Sequence, residues 1–394
     1  MELKELLYPV PEYCVDEVRE QLPARLGSLI RYHSEFEGLP DLENAKLAII
    51  GAPEDRGSQH NKGSASGVDK IRYQFYKLFP GDWNTDVIVD LGNLQKGYNL
   101  SDTHAALQYV CEELILRQII PIVVGGSNDL LYPLYRSFQK AEQFVNISAV
   151  DTFFDLGNHT KEVNDQNYLS HIVLNQPFLL NNFTNIGYQS YLVSPDEVQL
   201  MEKMYFDYHR LGDVRPIKRI EPLIRNADIV SFDMISVKAA DNPGHAQVQP
   251  NGFTGDEACS IMRYAGLSDK LSAIGLFGYN PAFDHHAISA ILAAQMLWYF
   301  IEGYFLRKGD YPMCSKKDFL KFTVIIEDGD HQIVFYKNPK TGRWWMEIPL
   351  NNPMDKNIER HLLIPCDEED YNNAVNQEIP LRWWKAMQKN ALIS

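Results

Sequence analysis

Six short runs rich in Ile and Val punctuate the chain as far as residue 280: LAIIGAP (47–53), DVIVDLGN (86–93), IIPIVVGGS (119–127), VNISAVD (145–151), ADIVSFDM (227–234) and LSAIGLFGYN (271–280). Each is almost continuously apolar and is bounded by Gly, Pro, Asn or Asp. A strand with one wet face alternates polar and apolar residues, whereas a strand covered on both faces does not. The runs therefore predict a mainly parallel sheet buried between helices. Helix starts lie between them. Ser194-Pro195-Asp196-Glu197 is a capping box with Pro at the first helical position. Thr254 to Glu257 repeats the box, with Gly266 as the expected stop. The order strand, helix, strand predicts a three-layer α/β/α sandwich. In such a sheet ligands bind beyond the carboxyl ends of the strands. The polar segments GAPEDRG, DLGN, GGSND, VDTFFD, SFDM and FGYNP fall on those ends, so one polar rim with a pocket is expected.

After residue 310 the pattern changes. FTVIIED (322–328), HQIVFYKN, a turn at Pro339 to Gly342 and RWWMEI predict antiparallel strands. The chain thus reads as an α/β domain over 1–309, with its core at 45–309, and a small C-terminal extension over 310–394 packed on it. The Trp344-Trp345 and Trp383-Trp384 pairs are expected to fill cores or subunit contacts rather than to stack on a ligand. The most apolar stretch, Ala287 to Leu306, contains Gln295 and Glu302 and reads as a buried helix, not a membrane span. The N-terminus lacks the pattern of a signal peptide. Cys14, Cys111, Cys259, Cys314 and Cys366 are widely spaced, without a CxxC, as reduced thiols would be. A cytoplasmic location is the resulting expectation. The net charge of −15 and the lack of any Lys/Arg run argue against nucleic acid and anionic membranes as partners. GSASG (63–67) lacks the Lys-Ser/Thr ending of a phosphate-binding loop and reads as a tight turn.

In order along the chain, the rim segments resemble the motif series of the ureohydrolase family, which includes arginase, agmatinase and formimidoylglutamase. GAPEDRGSQHNKGSASGVDKIR (51–72) resembles its Gly-rich first loop, and DLGN (90–93) its DLGD element. GGSND (125–129) stands where the family has Gly-Gly-Asp-His-Ser. DTFFD (151–155) stands for Asp-Ala-His-x-Asp, and SFDMI (231–235) for Ser-x-Asp-x-Asp. Asn251-Gly252-Phe253-Thr254 resembles the Gly-Gly-Leu-Thr turn, and GYNP (278–281) the Glu-x-Asn-Pro of the last strand. The series covers about residues 45 to 309 and looks closest to the formimidoylglutamase branch. The resemblance implies an arginase-like fold and a homo-oligomer. It also implies two Mn²⁺ ions bridged by hydroxide, held by four Asp and two His, and a Glu for the cationic substrate group. Such a metal pair activates water for attack on a guanidine or amidine carbon.

This sequence departs from that ligand set. The two His positions are Asn128 and Phe153, the second Asp of the SxDxD motif is Ile235, and the Glu position is Gly278. Asp151, Asp155 and Asp233 are retained. Phe and Ile have no donor atoms, and Asn offers only a neutral carbonyl. A single divalent cation (Mn, Mg or Ca) on the remaining oxygens is the most that this set implies, and no other cofactor is expected. Asp129, by a slipped register, and His159, His171, His245, His285 and His286 are the nearby replacements. Three converging carboxylates need a cation, a proton or donors, and Arg56, Arg72 and Lys62 are the candidates. Alternatively the three Asp are plain turn residues. The first functional reading is a pseudoenzyme or non-metal relative binding a small amino-acid-like or cationic ligand, with Asn61, Asn128, Asp129, His159 and His245 as contacts. The alternative is a C–N hydrolase of linear amidines with an altered metal site, with Asp151 and His171 as catalytic candidates. A third is a structural subunit that uses the extension as an interaction module.

Overall fold

The computed structural model describes residues 2–312, 316–326, 331–349 and 361–393. A ten-stranded sheet forms the centre. Its strands are β1 (Leu7–Tyr8), β2 (Arg31–Tyr32), β3 (Leu47–Gly51), β4 (Ile88–Leu94), β5 (Ile120–Val124), β6 (Val145–Val150), β7 (Leu180–Tyr188), β8 (Asp207–Arg210), β9 (Ile229–Asp233) and β10 (Ala273–Phe277). They run in the order β1-β4-β3-β5-β10-β9-β6-β7-β8, with β2 also pairing β4. Every pairing is parallel except that of β1 with β4. All six apolar runs became strands, and each is buried along its length. One apolar cluster covers each face of the sheet, as continuous apolar strands require. The arrangement is the expected α/β/α sandwich.

Both capping boxes form, Ser194 and Thr254 each accepting from the amide three residues on. Gly266 is not a stop, however. The helix Gly255–Leu267 runs through it and ends at Ser268. A Cβ at Gly266 would run into the carbonyl oxygen of Phe300. The glycine instead lets this helix lie against the apolar helix Ile288–Phe305, which is in the core cluster as expected.

The C-terminal sheet has the order β11 (Leu320–Ile326), β12 (His331–Lys337), β13 (Trp344–Glu347) and β14 (Leu363–Cys366), all antiparallel. The turn at Pro339 to Gly342 joins β12 and β13, with Gly342 at φ +71°. The end of the FTVIIED segment lies outside the described residues. Trp344, Trp345 and Trp383 are buried, while Trp384 is 39% exposed. This sheet is tied to the sandwich by Arg225. Its guanidinium donates to the carbonyls of Trp344 and Cys366, each at 3.1 Å, and lies over the Trp345 ring.

At the same boundary His209, on edge strand β8, has an Nε2 atom sealed from solvent with no hydrogen-bond partner among the described residues. Burial lowers its pKa to about 4, Arg382 and Lys385 acting in the same direction and Asp207 against. The unfolded imidazole titrates near 6.5. A depressed base contributes full stability above 6.5 and loses it as pH falls toward 4, by roughly 2–3 kcal/mol. Urea unfolding at pH 7 and pH 4 should therefore show a smaller acid loss for His209→Gln than for wild type. Equal losses would contradict this account of His209.

Candidate functional site

Parallel strands deliver their carboxyl ends to one rim. Asp151 directly follows β6, Asp233 ends β9, and Gly278 directly follows β10. The loop after β6 carries Phe153, Asp155 and Asp165 back over these ends. Together with Ile235 and His245 they line a cavity of about 300 Å³. Asp155 sits at φ +55°, a conformation that Asp tolerates better than most residues. Asp165 is fixed from outside the loop: Ser58 Oγ donates to it at 2.7 Å and the Gln59 amide at 3.0 Å.

Burial raises the carboxyl pKa of Asp151 to about 7, opposed by the Phe153 amide. Burial and then the charge of Asp151 push Asp155 well above the ordinary carboxylate range, and Asp233 likewise. Asp165 is raised by burial as well, against its donors. Four carboxyls so placed cannot all ionise without a positive group among them. The cations expected to neutralise them are elsewhere. Arg72 is committed to Asp90, Asp69 and Asn93, Arg56 to Glu54, and Lys62 to the Asp55 and Arg56 carbonyls. Among the described residues no Lys or Arg lines the cavity. Its one imidazole, His245, has its pKa lowered by burial to about 4, and so it is neutral at pH 7.

Of the residues singled out from the sequence, the structure brings Asp151, Asp155, Asp233 and His245 to one cavity. Asn128 sits behind it. Its Nδ2 donates to Asp151 Oδ2 at 2.7 Å and its Oδ1 accepts from Ser231 at 3.2 Å. Asp129 turns away, bonded to the Ser127 hydroxyl and to His104 Nε2 at 2.7 Å, so a slipped register does not bring its carboxylate in. Asn61 latches two loops, donating to the Gly278 carbonyl at 2.7 Å and accepting from the Ala246 amide at 3.0 Å. His171 bonds the Lys161 carbonyl at 3.0 Å, and His159, His285 and His286 are exposed; none of these lines the cavity. Asp165 and Glu197 are cavity residues that the sequence reading missed. Only the tertiary contacts with Ser58 and Gln59 mark Asp165.

The donors do not fit a two-manganese centre. Phe153 and Ile235 present hydrocarbon where ligands are needed. One oxygen of Asp151 is bonded to the Phe153 amide at 3.0 Å, the other to Asn128, and Asp233 Oδ1 is bonded to the Ile235 amide at 2.9 Å. Among the described residues no three His, Cys, Asp or Glu side chains are placed to share one metal ion. Nor does this backbone favour the missing Glu. Gly278 has φ +86°, and a Cβ there would run into Asp233 Oδ1.

Comparison with known proteins identifies the family and the fold. The Arginase family model matches residues 45–302, well over half of the chain. The formimidoylglutamase of Staphylococcus haemolyticus is 25% identical over 289 residues, covering 68% of this chain and 90% of that protein. The human mitochondrial guanidino acid hydrolase is 24% identical over 279 residues, covering 65% and 77%. The fold superposes on the Trypanosoma cruzi formiminoglutamase with two Mn²⁺ at a TM-score of 0.64 and 21% identity, covering 72% of this chain and 99% of that one. By its strand order, its carboxylate rim and this match, the chain belongs to the arginase family.

Proposed function

We propose that the rim cavity binds a small organic cation, an amidinium or the ammonium group of an amino-acid-like molecule, without two-manganese hydrolysis. One observation carries this reading: Phe153 and Ile235 form apolar walls beside Asp151, Asp155, Asp165 and Asp233 in a single cavity. An amidinium is planar, with hydrocarbon-like faces and N–H donors at its edge. Such a group suits apolar walls with carboxylates around them, and it supplies the positive charge that the buried carboxyls lack.

A second reading is hydrolysis of a linear amidine C–N bond. It is favoured by the retained Asp151, Asp155 and Asp233 and by relatives named formimidoylglutamase. Titration of chelator-treated protein with N-formimidoyl-glutamate and agmatine, followed by ammonia and urea assays with Mn²⁺ added, separates the two. The expected result is metal-independent binding with a Kd of about 1 mM or tighter and no turnover. Manganese-dependent turnover would establish the second reading and end the first.

A further inference from the structure

A second cavity opens on the same rim, with the opposite charge. It lies at the carboxyl ends of β7 and β8 and measures about 350 Å³. Arg210, Arg215 and Lys238 line it, and among the described residues no Asp or Glu does. On a chain of net charge −15, this is a local reversal of sign. Among the described residues the first cavity is lined by five carboxylates and no Lys or Arg, and the two share no lining residue. They are neighbours through the backbone, since the Gln189 amide donates to the Thr152 carbonyl, one residue from Asp151.

Two of the three cations are anchored, and donor capacity is left over. Arg215 Nη2 donates to the Gly252 carbonyl at 2.7 Å, which fixes the guanidinium beside the cavity. Its Nε is 3.6 Å from Glu257, and its Nη1 has no partner among the described residues. Arg210 ends β8 and makes no ion pair or side-chain hydrogen bond among the described residues. Lys238 is 3.4 Å from Asp241. The wall that carries Asn251 and Gly252 is pinned: Lys238 N donates to the Phe253 carbonyl, Phe253 N to Ser236, and Gln189 Nε2 to Asn251. The Arg215 side of the cleft is thus preorganised, and a guanidinium fork suits a two-oxygen anion.

We propose that this cleft is a binding site for a small oxyanion, the carboxylate or phosphate group of a metabolite. It is independent of the cation cavity, and its test does not depend on that reading. Calorimetric titration of the full chain with glutarate, and separately with inorganic phosphate, is the experiment. At least one should saturate with a Kd of about 1 mM or tighter and weaken in high salt. The glutarate arm assigns a carboxylate and the phosphate arm a phosphate. Arg210→Ala with Lys238→Ala should weaken binding at least about tenfold, while Lys70→Ala, on an exposed face far along the chain, should leave it unchanged. Arg210 is exposed, so its removal does not threaten the fold. Failure of both anions to saturate, equal affinity in the double variant, or equal loss in Lys70→Ala would overturn the proposal.

Discussion

Arg72→Ala should lower the unfolding free energy by about 3–5 kcal/mol, the cost of breaking a buried ion pair from one side. Arg72 is almost wholly buried beneath the rim. Nε donates to Asp90 Oδ2 at 2.9 Å, Nη1 to Asn93 at 2.8 Å and to Asp69, and Nη2 to the Gly92 carbonyl at 3.0 Å. Tyr76 adds a hydroxyl to Asp90 at 2.9 Å. Truncation leaves the Asp90 carboxylate at 0% exposure with its cation gone. Asp90 and Asn93 belong to the DLGN segment, so the motif is held as a folding element. Arg72→Lys should recover less than half of the loss, because a single ammonium cannot reach four acceptors spread around a planar fork. Denaturant unfolding of the three proteins measures this. Full recovery by Lys would show that charge alone matters.

The second large effect has the opposite sign. Asp155→Asn should stabilise the protein by roughly 1–2 kcal/mol at neutral pH, measured with chelator present. Most substitutions of a buried residue destabilise. Here the native carboxyl is buried beside Asp151 and faces the charges of Asp165 and Asp233. Asn keeps the shape and accepts the positive φ of this position. The sign with pH follows from linkage. The carboxyl of Asp155 is raised above its ordinary 3.8, so above that pH the unfolded chain releases a proton that the folded chain holds. Wild type therefore loses stability as pH rises through that range, and Asn removes the share of that loss due to Asp155, leaving the shares of Asp151, Asp165 and Asp233. The two stability curves should converge below about pH 4. Destabilisation by Asn at pH 7 would mean that Asp155 has a positive partner absent from this account. A stability gain at a rim position is the signature of a site kept for binding rather than for folding.

What could be read from the sequence followed the strength of local signals. Buried parallel strands are continuous apolar runs, and all six became strands. β7 and β8 were missed for the same reason in reverse. β7 opens with Leu180-Asn181-Asn182, half-buried, and β8 is Asp207-Tyr208-His209-Arg210 at the edge, where a strand need not be apolar. Gly266 was misread because a glycine near a helix end and a glycine at a helix crossing look alike in one dimension. At the site, Asp151, Asp155 and Asp233 were legible because strand ends point to the rim. Asp165 was not, because its place depends on Ser58 and Gln59, more than a hundred residues earlier. Gly278 could be read as a lost Glu. That a Cβ there would meet Asp233 Oδ1 is visible only in three dimensions.

The measurement that bears most directly on the central claim is the manganese content of the full chain after dialysis against excess Mn²⁺ and removal of free ion. With hydrocarbon at Phe153 and Ile235, the Asp151 oxygens bonded to the Phe153 amide and the Asn128 side chain, and Asp233 Oδ1 bonded to the Ile235 amide, retention should be well below one ion per chain. Two tightly held ions per chain would contradict the account.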